Sequence, residues 1–223
     1  MITVKNVKAT DQDIAIAAIV QAFSPDPAAR WMYPDSQQYL EYFPSFVKAF
    51  AGAAFEHGSA DFVDGSSAAA LWLPPGIHPD DDALFTLLRH SVPERDQADV
   101  FALFEQMDGN HPAEPHWYLP MIGVDPEQQG KGYGSALLQH ALARCDADGK
   151  LAYLESTSLK SLRLYERHGF ELLRHNSGRL VAAVVSDGAK AGRIEANQKK
   201  KLFGIEKINQ FSGIGLTLYE HDV

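Results

Sequence analysis

The chain holds a single cysteine, Cys145, among its 223 residues. No disulfide within the chain is possible, which fits a reducing compartment. No apolar run approaches the ~18 residues that a membrane-spanning helix needs. Positive charge is also short: twenty Lys and Arg stand against 29 Asp and Glu, a formal charge of −9. Such an acidic chain lacks the electrostatic means to hold nucleic acid or an anionic membrane, so neither is expected as a partner. A cationic small molecule is compatible with it, as is an acidic surface that serves solubility alone. Met1-Ile2-Thr3-Val4-Lys5 has no signal-peptide pattern and reads as a first strand, so the cytoplasm is the expected compartment.

What the chain does have is enough apolar residue, 45%, for one sizeable core. A single α/β domain over 1–187 is expected, followed by an atypical tail over 188–223. Residues 2–8 alternate as an edge strand. Thr10-Asp11-Gln12-Asp13 offers an N-cap and acids for a helix over Ile14–Phe23. A proline-rich loop over Ser24–Asp35 precedes a helix over Gln37–His57, whose Tyr39, Phe43, Phe46, Val47 and Phe50 recur at helical spacing despite Pro44. Strands are expected over Asp61–Asp64 and Ser67–Leu73 around a turn at Gly65. The segment Pro74–Pro115 carries two helical patterns, near Asp80–His90 and Arg95–Met107. A final strand is expected over Arg179–Ser186. The polar tail that follows has little to bury, and 188–212 is expected to be poorly ordered. Cys145 falls on an apolar-periodic helix with no base near it in sequence, so it reads as a packed thiol.

The densest signal lies between Trp117 and Phe170. An apolar run ends in Gly123-Val124-Asp125-Pro126; then come Gln129-Gly130-Lys131-Gly132-Tyr133-Gly134-Ser135 and the helical pattern Ala136, Leu137, Leu138, Ala141, Leu142. Strand, glycine-rich turn and helix in that order put unpaired N–H groups at the positive end of a helix, a site suited to phosphate. Glycines at 130, 132 and 134 let a pyrophosphate approach the backbone and allow positive φ. Ser135 adds a hydroxyl, and Lys131 a charge at the rim. The Walker spacing fails because Gly132 follows Lys131. The Rossmann spacing fails because Ser135 stands where a further glycine is needed, although Glu155 lies where a ribose-binding acid would be. A nucleotide-binding protein therefore stays open as a minor reading.

A third pattern, Gln-x-x-Gly-x-Gly, is met by Gln129, Gly132 and Gly134. With Val124-Asp125-Pro126 before it, it resembles the acetyl-CoA loop of the GCN5-related N-acetyltransferases (GNAT). Further on, Leu164-Tyr165-Glu166-Arg167-His168-Gly169-Phe170 resembles that family's helix ending in Tyr-x-x-x-Gly-Phe, with Gly169 at a helix C′ position. Within the family the likeness is greatest to puromycin N-acetyltransferase-like members. It rests on Trp117-Tyr118-Leu119, the Gln-Gly-Lys-Gly loop and the Leu154-Glu155-Ser156…Tyr165-Glu166-Arg167 segment. It covers roughly residues 61–175, about half the chain.

The resemblance implies an acyl-CoA N-acyltransferase fold: a mixed, mostly antiparallel sheet flanked by helices, here with a helical insertion before the central strand that would wall the acceptor site or buttress the fold. It implies acetyl-CoA as cofactor, a small-molecule primary amine as partner, and a monomer or homodimer. Gln129, Gly130, Lys131, Gly132, Tyr133, Gly134 and Ser135 would hold the pyrophosphate. Ile122, Gly123 and Val124, on a strand splayed by a bulge, would bond the pantetheine arm, with the Val124 N–H as oxyanion donor. Ser161 stands where many relatives carry an asparagine that contacts the same arm. Tyr165 would protonate the departing thiolate, since a phenol of pKa ~10 can serve a thiol of pKa ~8.5. An amine of pKa ~10.4 must lose a proton before it attacks; Glu155 is the first candidate base, then His116 and Glu114. No metal site is expected. A non-catalytic acyl-CoA-binding module that regulates a partner is the alternative, since the loop fits both.

Overall fold

The computed structural model describes residues 2–63, 68–176 and 180–185. Its sheet grows outward from β4 (His116–Val124). The antiparallel neighbour β3 (Ala68–Leu73) is buried along its whole length, as expected of a continuous apolar run covered on both faces. β2 (Ala60–Val63) and β1 (Val4–Asn6) continue antiparallel to one edge. On the other side β5 (Leu151–Ser156) runs parallel to β4, and β7 (Leu180–Val185) then sits between β5 and β6 (Phe170–Asn176), antiparallel to both. The order is β1-β2-β3-β4-β5-β7-β6. This is the mixed, mostly antiparallel sheet that was expected. The Gly65 turn and the tail over 188–223 lie outside the described residues.

Helices cover both faces. α1 (Gln12–Phe23) lies on β3 and β4, and it comes so close that a Cβ at Gly123 would stand 2.5 Å from the Ala22 Cβ. α7 (Tyr133–Asp148) covers the opposite face, where Leu137, Leu138, Ala141 and Cys145 pack with Trp117, Leu119, Ala152 and Leu154. The Arg144 guanidinium reaches the fully buried Asp61 carboxylate of β2 at 2.6 and 3.2 Å and lies over the Trp117 ring. Trp117 in turn donates its indole N–H to Asp148 at 2.9 Å. These bonds fix the helix, and hence its N-terminus, against β2 and β4. Burial pushes the Cys145 thiol up to about 12, in keeping with a packed and inert group.

Three local expectations need correction. No side-chain cap forms at the start of α1; a 3-10 turn over Ala9–Asp11 leads in instead. The expected loop over Ser24–Asp35 contains α2 (Pro27–Met32), whose N-cap Asp26 accepts from the Ala28 and Ala29 amides while Pro27 takes the first turn, where no donor is needed. The long helix is two: α3 (Ser36–Ala51), capped by Asp35 and continuous through Pro44, and α4 (Ala53–Glu56), with Gly52 between them. A Cβ at Gly52 would stand 2.2 Å from the Lys48 carbonyl oxygen.

The insertion forms α5 (Asp81–Ser91) and α6 (Glu94–Asp108). It is packed rather than loose. Leu84, Leu88 and Val100 are fully buried. Phe104 of α6 meets Phe46 and Phe50 of α3, and Phe50 stands edge-on to Tyr118 of β4. The insertion is thus a wall that α3 ties to the central strand. α8 (Leu162–Arg167) completes the described helices.

Candidate active site

β4 and β5 pair from His116↔Leu151 to Leu119↔Leu154 and then part. Two features force the parting. Pro120 has no N–H to offer a ladder. Between Leu73↔Tyr118 and Leu71↔Met121, β4 also spends one residue more than β3, which is a bulge. Beyond it β4 keeps its pairing with β3, while β5, paired with β7 along its other edge from Ala152 to Ser156, no longer pairs with β4. A wedge opens between Pro120–Val124 and Glu155–Ser156. Alternate groups of Ile122, Gly123 and Val124 face β3, and those between them face the wedge.

The loop that follows β4 is shaped by backbone. Asp125 accepts from the Glu127 amide and starts a 3-10 turn over Pro126–Gln128. Gly130 and Gly132 then adopt φ of +77° and +88°, a left-handed region that side chains disfavour. Gly132 is the residue before α7, and the first helical bond recorded there runs from the Ala136 amide to its carbonyl. The amides of Tyr133, Gly134 and Ser135 therefore have no partner within the helix. Gly134 serves packing: a Cβ there would stand 3.2 Å from Leu164 of α8 and 3.7 Å from Val124. Residues 129–132 are exposed, and the loop fits a diphosphate group by geometry and dipole. The side chains are less committed to an anion. Gln129 donates back to the Val124 carbonyl at 3.3 Å, and the Lys131 ammonium donates to Gln128 at 2.6 Å. The Ser135 hydroxyl lies 2.7 Å from His168 Nε2.

Tyr165 projects from α8 into the base of the same region. It is 7% exposed and edge-on to Phe170. Burial pushes its hydroxyl up to about 12, with a hydrogen bond to Ser156 opposing and the Asp26 carboxylate adding. Asp26 also accepts from the Thr157 hydroxyl, joining the start of α2 to the end of β5. Ser161 precedes α8 and makes no side-chain cap bond. Because neighbours on a strand point to opposite faces, Ser156 and Tyr165 lie on one side of the sheet and Glu155 on the other.

Glu155 is only partly exposed, and both its oxygens accept from phenols: Tyr118 at 2.9 Å and Tyr153 at 2.9 Å. Burial raises its carboxyl to about 7, against the pull of those two bonds. The phenols themselves are pushed well above the usual tyrosine range, by burial first and by the Glu155 charge second. The other candidate bases fare differently. His116 uses both ring nitrogens, toward the Glu114 carbonyl at 2.8 Å and toward His111 Nδ1 at 3.0 Å. It has no lone pair left for a substrate proton. Glu114 contributes that main-chain carbonyl.

The loop, the wedge strand, Tyr165 and Glu155 thus gather along β4 and β5. Tyr118, Tyr153 and His111 join Glu155 without having been singled out from the sequence. The signal was period two: Tyr118, Tyr153 and Glu155 alternate with the apolar Trp117, Leu119, Ala152 and Leu154 that face α7. Nothing in the spacing ties His111, which comes from beyond α6, to either strand.

Residues 94–170 match the model of the acetyltransferase (GNAT) family. An uncharacterised N-acetyltransferase of Schizosaccharomyces pombe is 28% identical over 188 residues, 74% of this chain and 73% of that one. Among solved structures, a Corynebacterium glutamicum protein described as histone acetyltransferase HPA2 and related acetyltransferase superposes with a TM-score of 0.58 at 24% identity, covering 86% and 99% of the two chains. Arylalkylamine N-acetyltransferase 2 of Aedes aegypti gives 0.59 at 11% identity, covering 84% and 99%. The fold is the GNAT fold, and over residues 94–170 the chain is similar to the GNAT acetyltransferases.

Proposed function

We propose that the protein is an acetyl-CoA-dependent N-acetyltransferase acting on a primary amine of a small molecule. The observation that carries this reading is the Glu155 carboxyl, raised to about 7 and held by two phenols beside the β4–β5 wedge. A base of that strength is about half ionised at neutral pH and still strong enough to accept a proton from an ammonium entering the site. Acetyl-CoA, when bound, supplies the activated acyl group. The α7 N-terminus and the Gly130–Gly132 turn would hold its diphosphate, and Ile122–Val124 its pantetheine arm. Ser161, just before α8, would replace the family's asparagine in part. The Val124 N–H would donate to the charge that develops on the carbonyl oxygen, a contribution of about 3 kcal/mol in other acyl-transfer sites. Tyr165, protonated throughout the working range, would hand its proton to the departing sulfur and regain one from the newly acylated nitrogen, while Glu155 keeps the proton first taken from the ammonium. The small-amine reading is supported by the acidic chain and by an arylalkylamine acetyltransferase among the structural neighbours. The likeness to puromycin acetyltransferases adds puromycin to the candidates.

The test is calorimetric titration with acetyl-CoA, CoA, ATP and NAD, followed by acetyl transfer to a panel holding puromycin, a polyamine, an arylalkylamine and an amino acid. Micromolar binding of acetyl-CoA with transfer to one amine is expected. Preference for ATP or NAD would return the loop to the nucleotide reading. Tyr165→Phe separates enzyme from binding module: turnover should fall about a hundredfold with CoA affinity kept. Unchanged turnover would remove Tyr165 from the reaction.

A further inference from the structure

The insertion delivers a histidine to the back of the candidate base. His111, just beyond α6, lies 4.4 Å from the Tyr118 ring centre and 4.7 Å from that of Tyr153, inclined at 70° and 52°. The ring is not free to turn. A carbonyl oxygen can only accept, so the 2.8 Å contact between His116 Nδ1 and the Glu114 oxygen places the proton on Nδ1. The neutral His116 ring then offers Nε2 as an acceptor, and His111 Nδ1–H donates to it at 3.0 Å. Burial disfavours the charged form of both rings, which keeps this arrangement through neutral pH. The result is a chain of fixed orientations: a main-chain carbonyl sets His116, His116 sets His111, His111 backs two phenol rings, and the two phenols bond the two oxygens of one carboxyl.

We propose that His111 is a positioning residue for Glu155: its ring holds Tyr118 and Tyr153 so that both hydroxyls converge on one carboxyl, and it closes that carboxyl from water on the insertion side. This rests on the reading of Glu155 as the base. It gives the insertion a role in the chemistry that a plain buttress lacks. The groups that act on Glu155 are Tyr118 of β4, Tyr153 of β5 and Asp108 of α6. His78, from the connection after β3, acts on the two imidazoles.

The test does not need turnover. The carboxyl carbon of Glu155 is followed by 13C NMR in glutamate-labelled protein, its resonance assigned by its loss in Glu155→Gln. In the wild type the midpoint should lie near 7. His111→Ala opens the cluster to water, and the midpoint should fall by about one unit or more toward the ordinary carboxylate range. His111→Phe keeps a ring against the two phenols but loses the bond to His116, so it should move the midpoint the same way by less than His111→Ala does. Where an amine substrate is in hand, the acid limb of kcat should move with the midpoint while KM for acetyl-CoA stays put. A wild-type midpoint near 7 that ignores His111→Ala, with melting temperature retained, overturns the inference alone. A wild-type midpoint near 4.5 overturns the base assignment first and this inference with it. If His111→Ala does not fold, His116→Ala removes only the anchor of His111; it should shift the midpoint the same way by less, and no shift there overturns the proposal.

Discussion

β4 connects two regions built on different physics. The loop after Val124 is contiguous in sequence and works through main-chain amides and two positive-φ glycines; its Gln129, Lys131 and Ser135 side chains are bonded to protein groups. The cluster around Glu155 gathers side chains from β4, β5 and the end of the insertion, and works through burial and hydroxyl bonds. The loop needs a particular backbone and tolerates many neighbours. The cluster needs particular neighbours and tolerates an ordinary backbone. Substitutions should therefore separate cofactor affinity from proton transfer, and each prediction below is a way to test that separation.

The largest effect should come from Glu155→Gln. It removes the base and keeps the shape, so turnover should fall by about 10²- to 10⁴-fold while acetyl-CoA affinity is unchanged. Wild-type turnover should rise with pH through about 7, because the base works only when ionised. Stability should move the other way. The folded carboxyl titrates near 7 against 4.5 for a free one, so the folded state binds the extra proton between those values. Wild-type stability then falls as pH rises from 4.5 to 7 and levels off above. Glu155→Gln carries no such cost. Its melting temperature should exceed that of the wild type at pH 8, with the gap closing by pH 4.5. A variant less stable than wild type at pH 8 would contradict the burial that defines the cluster.

Next in size is Gly132→Ala. The site is open, with only the Ile2 side chain at 3.4 Å, so no clash is expected. The cost is the left-handed backbone at φ +88°, about 1–2 kcal/mol for a residue with a Cβ. If that strain tilts the amides of α7, acetyl-CoA affinity should fall about tenfold. The Glu155 midpoint should not move. A loss of turnover at saturating cofactor would show that loop and cluster are coupled after all.

The same division explains what the sequence makes legible. The loop was readable because glycine spacing between a strand and a helix encodes backbone geometry directly. The Tyr165 helix was readable from its terminal Gly169-Phe170, and the insertion from helical periodicity alone. The placement of β7 between β5 and β6 follows from no local signal, since strand order depends on non-local pairing. α2 was hidden by the proline content around it, although Asp26-Pro27 is a helix start in physical terms. Glu155 was readable as an acid at a strand end. The environment that raises it was not, because Tyr118, Tyr153 and His111 come from three segments that only the fold brings together. His116 shows the converse: its residue type suggested a base, and its neighbours use up both nitrogens.

The smallest effect should come from Ser135→Ala, and it probes the loop where residue type and geometry disagree. A serine at the start of a helix beside a glycine loop invites the reading that its hydroxyl bonds phosphate. In the structure that hydroxyl is 2.7 Å from His168 Nε2, so it ties α7 to the end of α8. Burial lowers the pKa of His168, which favours a neutral ring able to accept the hydroxyl proton. Removing the hydroxyl deletes one partly buried neutral hydrogen bond and leaves the α7 amides in place. That is worth about 1 kcal/mol or less, a twofold to fivefold loss of acetyl-CoA affinity. His168→Ala should cost about the same, and the double variant little more than either, because the two groups act as one contact. A hundredfold loss from Ser135→Ala alone, with His168→Ala silent, would mean that the hydroxyl turns to the diphosphate when it binds, and the loop would then share with the Glu155 cluster a dependence on a single placed side chain.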